Sequence, residues 1–380
     1  MRYNFRMVTL AEISDDLSDG LHKAPEFVIN GEYLFVNATN LENGYIVEKD
    51  KGKRTTYEEY CQYGVPLTER TILYSIDGTI GNIARYRGEK CVLGKGACYI
   101  TVSSDVDVDY IYYQLQTPHF KSYIRSMSTG STIKHISLKT MRNYSFPLPE
   151  LEVQRTISSI LYTLDDKIKL NQRINENLER QAQALYTAMF VDNIELPTTP
   201  GILSDIATIT MGQSPNGNSY NENGVGEVFY QGRAEFGFRF PTRRLFTTEP
   251  KRIAQQGDIL LSVRAPVGDL NVAYEQCCIG RGLGAIHSKN GNESFLLYTM
   301  FALKPQLDVF NGEGTVFGSI NRNALNAMPI KIPAADKIVQ FENLVYPIDN
   351  LIRTNYEEIC RLKTLRNSLL PKLMAGEIEI

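Results

Sequence analysis

The chain has 380 residues, of which 43% are hydrophobic and 22% charged, with a formal net charge of −3. That length suggests two domains, and the composition is too apolar for a disordered chain. No apolar run approaches the 18 residues of a membrane-spanning helix, Met1 to Arg6 lack an apolar signal core, and the acidic balance argues against a stand-alone nucleic-acid binder. A cytoplasmic protein without a membrane segment is expected.

In chain order, the first patterned phrase is Phe35-Val-Asn-Ala-Thr-Asn-Leu41. Residues 72–76 then form a short apolar run bounded by polar residues and glycine, which predicts a strand. Leu93-Gly-Lys-Gly96 suits a tight turn with backbone freedom. Between Tyr110 and Pro149 lie Lys121, Arg125, Lys134, Lys139 and Arg142 with no acidic residue, interleaved with tyrosines and the polar run Ser126-Met-Ser-Thr-Gly-Ser-Thr132. The stretch ends in the extended phrase Pro147-Leu-Pro149.

From Ile157 the texture changes. Core positions step by four and three through Leu161, Leu164, Ile168, Asn171, Asn175, Leu178, Ala182, Leu185 and Met189. That is the coiled-coil period, and it predicts a helix of roughly 50 Å at about 1.5 Å per residue. Residues 195–201, rich in Pro and Thr, read as a linker.

The chain then repeats itself. Phe229-Tyr-Gln-Gly-Arg-Ala-Glu235 occupies the place of the Phe35 phrase. Ile259-Leu-Leu-Ser-Val-Arg-Ala-Pro-Val-Gly268 matches the phrase at Ile72 with an offset of 187 positions. Ile279-Gly-Arg-Gly282 matches the Gly-Lys-Gly turn, and the stretch from Ile320 to Pro333 matches that from Ile136 to Pro149. An offset of 184 carries the heptads onto Phe341, Val345, Ile348, Ile352, Asn355, Ile359, Leu362, Arg366, Leu369 and Leu373. Three phrases in one order at a nearly constant offset indicate a duplication. The polar pair Asn171 and Asn355 interrupts both seams at the same step, as a buried asparagine that fixes register does. Pro347 removes a helix hydrogen bond, so a bend or a late helix start is expected there. Asp165-Asp166-Lys167 reads as solvated helix charge.

The expected architecture is α+β: two duplicated globules joined by two long antiparallel coiled-coil helices, pseudo-twofold symmetric. The boundaries are 1–150, 151–190, 191–335 and 336–380. Such geometry is that of proteins reading two half-sites on a duplex. The run Phe236-Gly-Phe-Arg-Phe-Pro-Thr-Arg-Arg-Leu-Phe-Thr-Thr248 carries three arginines and no acid, which suits phosphate contact. Asn and Gln can pair with adenine and Arg with guanine. The candidate DNA-binding residues are therefore Asn37, Asn40, Lys95, Lys134, Gln231, Arg233, Arg243, Arg244, Arg264 and Arg281. Arg233, Arg264 and Arg281 are expected on one side of the second globule.

Six cysteines occur without a C-x-x-C pair, beside four histidines, so no zinc site is expected and the thiols read as reduced and buried. No phosphate loop, dinucleotide fingerprint, H-E-x-x-H, G-x-S-x-G or [DN]-P-P-[YF] motif appears. A non-catalytic chain without cofactor is expected.

These phrases, with Gly318-Ser-Ile-Asn-Arg, Pro329-Ile-Lys-Ile-Pro333 and the ending Leu370-Pro-Lys-Leu-Met-Ala-Gly-Glu377, resemble the specificity (S) subunit of Type I restriction-modification systems. The first half departs at Asp77-Gly-Thr79, which replaces the Arg-Ala-Pro that begins at Arg264. The resemblance implies two target-recognition domains, each reading half of a split double-stranded DNA sequence. It implies helices that space them and dock two methyltransferase (M) subunits, with restriction (R) subunits in the full complex. It also meets the charge objection, because partner subunits can supply phosphate contacts. The alternative is a coiled-coil scaffold without its own DNA readout.

Overall fold

A computed structural model describes residues 5–49, 52–130, 134–312, 318–378 and 380. Packing divides the chain into two compact units, Met1–Leu170 with Glu358–Ile380, and Asn171–Glu357. Both divisions fall inside long helices: α1 (Leu151–Tyr186) and α2 (Ala335–Met374). Each unit is thus a globule packed on two half-helices.

The first unit contains β1 (Ser14–Asp19), β2 (Tyr33–Val36), β3 (Thr71–Ser75), β4 (Ile83–Arg85), β5 (Cys91–Leu93) and β6 (Ala97–Val102). The second contains β7 (Ala207–Met211), β8 (Glu227–Tyr230), β9 (Ile259–Ser262), β10 (Leu270–Val272), β11 (Cys277–Ile279) and β12 (Leu283–Ser288). Antiparallel sheets run in the order β1-β6-β3-β4 and β7-β12-β9-β10. In each unit a second sheet is built on a parallel pair, β2 with β5 and β8 with β11. The duplicated topology follows from duplicated sequence. Every residue of β3 and of β9 is buried, because both faces of these apolar strands are covered. A third, two-stranded ribbon joins Arg6–Thr9 to Ser145–Leu148, and Thr198–Ile202 to Pro329–Pro333. The predicted linker therefore ends in a strand. Its Thr-Thr-Pro-Gly-Ile stretch is extended, and an edge position tolerates Pro200.

Short helices follow, capped by side chains the sequence supplies. Asp107 accepts from the Tyr110 amide at 2.7 Å. Ser137 and Asn321 occupy equivalent places and accept from Thr140 at 3.0 Å and Ala324 at 2.9 Å.

The heptad positions of α1 and α2 are all buried or half-buried. Within each unit the half-helices run antiparallel. In the first, Ile157 and Leu161 share a core with Leu370 and Leu373, and Arg366 binds Asp165 at 2.6 Å. In the second, Ala182 and Tyr186 share a core with Phe341 and Val345. At about 1.5 Å per residue, the 36 residues of α1 and the 40 of α2 span roughly 54 and 60 Å. Helix α2 starts at Ala335 and continues through Pro347, so the expected late start does not occur. Pro347 is exposed, as is Asn343 one turn before it, so water can take the carbonyl that the proline cannot bond.

The asparagine that Asn355 meets is Asn175, one turn from Asn171. Asn355 Nδ2 donates to Asn175 Oδ1 at 2.8 Å, and Asn175 Nδ2 donates to the Ile352 carbonyl at 3.1 Å. Asn171 is fully buried beside them.

One polar cluster ties the second globule to both half-helices. Arg239, with 4% of its side chain exposed, binds Glu179 of α1 at 2.9 Å and Asp349 of α2 at 3.1 Å. The Tyr298 hydroxyl donates to Asp349 at 2.9 Å. The first unit repeats the last bond: the Tyr113 hydroxyl donates to Asp165 at 2.9 Å. Burial and the adjacent carboxylate push the Tyr113 hydroxyl far above the ordinary tyrosine range, so it remains a donor. Asp165 is therefore a structural anchor and not the solvated charge that the sequence suggests. Cys91, Cys98, Cys277 and Cys278 are buried, and burial pushes the Cys91 thiol up to about 12. Cys61 and Cys360 are exposed, contrary to the expectation that all six are buried.

Two outcomes test this packing. Arg239→Ala leaves two carboxylates uncompensated in a buried site, and guanidinium denaturation should show the second unit destabilised by about 3–5 kcal/mol. Asn355→Leu alone leaves the Asn175 amide short of a partner and should lower stability by about 1–3 kcal/mol. The Asn175→Leu/Asn355→Leu double variant should regain much of that loss, which a double-mutant cycle would read.

Candidate nucleic-acid interface

At one edge of each unit the chain leaves its strands through loops that are bonded backbone to backbone. In the second unit the Gly280 amide donates to Tyr230 O at 2.8 Å, and Gly282 donates to Gln231 O at 3.2 Å. Val263 donates to Gly282 O at 3.0 Å, Ala265 to Gly318 O at 3.0 Å, and Ile320 to Val263 O at 3.1 Å. The first unit has the same ladder. Gly94 donates to Val36 O at 2.8 Å, Ile76 to Gly96 O at 3.0 Å, Gly78 to Lys134 O at 3.0 Å, and Ile136 to Ile76 O at 2.9 Å. The loops after β2, β3 and β5, with residues 134–136, thus form one surface. The loops after β8, β9 and β11, with residues 318–320, form its counterpart. Gly282 is needed because a Cβ there would stand 2.7 Å from Gln231 O.

This framework gathers many of the predicted residues. Asn37 and Gln231 follow β2 and β8, Lys95 and Arg281 sit at the tips after β5 and β11, and Arg264 follows β9. Lys134 is exposed in the last loop of the first unit. Arg233, Arg264 and Arg281 fall on these mutually bonded loops of one unit. Ser131 and Thr132, part of the predicted polar run, lie outside the described residues. Gln231, Arg264 and Arg281 are exposed, and among the described residues their side chains have no hydrogen bond or ion pair. Their donors are free to meet a ligand.

Other predicted residues are engaged. Asn40 is buried, its Oδ1 accepts from the Asn37 amide at 3.0 Å, and its Nδ2 donates to Val47 O at 3.0 Å. Its amide braces the 3-10 turn Ala38–Asn40 against Val47, and burial keeps it off the surface. Arg233 is paired with Asp269. Arg243 makes a two-point bond to Glu275, and Arg244 binds Glu235 at 2.5 Å and Glu222 at 3.5 Å. The run 236–248, basic in sequence, is neutralised in space, because the acids lie on other segments. Arg142 is likewise turned inward, donating to Leu17 O at 2.5 Å.

Sequence reasoning missed Ser214, His135 and Ser319. Ser214 accepts from the Arg281 amide at 3.3 Å. His135 forms an isolated antiparallel bridge with Asp77, and Ser319 forms the same bridge with Arg264. The departure at Asp77 marks the place, but only backbone pairing brings in the second member.

The surface is cationic at its tips, glycine-framed, and built twice. The profile of the Type I restriction modification DNA specificity domain matches residues 4–180 and again 200–359. The chain belongs to the Type I restriction-modification specificity-subunit family. It is similar to a putative type I restriction enzyme specificity subunit, MjaX, of Methanocaldococcus jannaschii, with 30% identity over 79% of this chain and 76% of that protein. The MjaIX specificity subunit of the same organism is 23% identical over 92% of this chain and 88% of its own. Among solved structures, the Type-I restriction-modification S subunit of M. genitalium aligns with a TM-score of 0.58 and 18% identity, covering 98% of this chain and 96% of that one. That likeness places the specificity-subunit fold on two globules and long helices. No helix of the described residues is long and apolar enough to cross a membrane.

Lys95→Ala and Arg281→Ala should each weaken binding to duplexes of any sequence and lower the salt slope by about one, measured by fluorescence anisotropy across a salt series.

Proposed function

We propose that this specificity subunit reads a split double-stranded DNA target, residues 1–150 taking one half-site and 191–335 the other. The observation that carries the reading is the duplicated loop surface, with a cation at Lys95 and Arg281 and an amide at Asn37 and Gln231. Cations at loop tips suit phosphates, and amides beside them suit base edges. The chain itself performs no chemistry in this reading. Residues 151–190 and 336–380 set the spacing and dock two methyltransferase subunits, with restriction subunits joining in the full complex in the cytoplasm. Exposed Tyr162 and Leu170 on α1, and Leu344, Tyr346 and Leu351 on α2, supply apolar area for docking. A coiled-coil scaffold without readout leaves the two matching loop surfaces without a purpose and is not favoured.

Mapping methylated positions in cells carrying this subunit with its methyltransferase tests the proposal. One interrupted sequence with two constant halves is the expected result. Methylation without sequence preference, or a single uninterrupted site, overturns it.

A further inference from the structure

The two loop surfaces share a backbone but differ at one bridge. In the second unit the antiparallel bridge pairs Arg264 with Ser319; in the first it pairs Asp77 with His135. The bridge is held identically in both, since the residue before each of Asp77 and Arg264 bonds the neighbouring glycine loop and the residue after each of His135 and Ser319. Ile76 donates to Gly96 O and accepts from Ile136, while Val263 donates to Gly282 O and accepts from Ile320. The flanking cation is retained as Lys95 or Arg281. Only the chemistry of the bridge pair changes sign.

In the second unit the pair offers donors. Arg264 is exposed, its guanidinium has no partner among the described residues, and Ser319 beside it is exposed. A planar fork of N–H groups matches the two acceptors, O6 and N7, on the major-groove edge of guanine. In the first unit the pair offers acceptors. His135 Nδ1 lies 2.5 Å from Asp77 Oδ1. A carboxylate oxygen can only accept, so Nδ1 carries a proton, and in the neutral tautomer that this bond selects Nε2 holds the lone pair. The other carboxylate oxygen of Asp77 is 3.8 Å from Lys95 Nζ. The His135 side chain is 41% exposed. Acceptors match an exocyclic amino group, N4 of cytosine or N6 of adenine.

We propose that this bridge is the specificity-determining pair of each unit: Arg264–Ser319 selects guanine in one half-site, and Asp77–His135 selects an amino-bearing base, cytosine or adenine, in the other. The inference rests on the DNA-reading function proposed above. Lys95 and Arg281, alike in charge, then hold phosphates and do not discriminate. Asp77 positions His135, which contacts the base.

The test is selection from a random duplex library, followed by sequencing, with the full chain assembled with its methyltransferase subunits. The wild-type complex should select a split sequence in which one position of the second half-site requires a G·C pair. In the Asp77→Arg/His135→Ser variant one position of the first half-site should turn to guanine with at least a tenfold change in preference, the second half-site remaining as it was. The reciprocal Arg264→Asp/Ser319→His variant should move the second half-site only. If the wild type selects a split sequence but both swaps leave every base preference unchanged, the bridge is not the reader and this inference fails alone. If the wild type selects no split sequence, the proposed function fails first. Should a double swap lose both half-sites through misfolding, His135→Ala and Arg264→Ala decide. Each should relax one position of its own half-site, and unchanged selectivity in both overturns the assignment.

Discussion

A tyrosine hydroxyl donating to a helix aspartate holds each globule to its half-helices. Tyr113 meets Asp165 and Tyr298 meets Asp349, both at 2.9 Å. The two aspartates lie 184 positions apart, the same offset that superposes the heptads. Each globule is therefore fixed to the coil at one step of the repeat, and its loop surface inherits a defined orientation within its unit. Different cations complete the anchor: Arg366 on α2 in the first unit, and Arg239 from the globule in the second. The bond was kept through divergence while its counter-charge came from another element, as expected if the buried carboxylate must be neutralised but the source of charge is free.

Much of the fold was legible because it rests on period and repetition. Heptad spacing located both helices, and the offset phrases located β3 and β9, since an apolar run between polar and glycine-bearing bounds has few alternatives. The misses have specific causes. Pro347 suggests a bend or a late helix start, and the late start does not occur because its solvent-facing position spares the seam. Residues 195–201 were read as linker, yet an edge strand needs little more than an extended backbone and one partner. The register pair is legible to within a turn: Asn355 bonds Asn175, one turn from Asn171, because spacing gives the seam but not which of its side chains cross it.

The candidate surface is legible in part. Among the described residues, Gln231, Arg264 and Arg281 have no side-chain partner at the loop tips, where glycine-bearing phrases at strand ends suggest them. Arg243, Arg244 and Asn40 did not survive as open groups. A run of arginines says nothing about the acids that fold against it: Glu275 and Glu222 come from other segments, and Glu235 lies just before the run. A net charge of −3 is consistent with this pattern: the structure spends its arginines internally and leaves a few uncompensated at the tips.

The division of the units in mid-helix sets an order for their completion. The first globule is synthesised first, but part of its core, Leu370, Leu373 and Met374, follows the whole second unit in sequence. Until those residues emerge, Ile157 and Leu161 lack the side chains that cover them. The second unit draws on one continuous segment, from Asn171 to Glu357, and can close before the first. A ribosome paused or released before Leu370 would therefore leave the first globule, not the second, with its apolar floor open to chaperones and proteases.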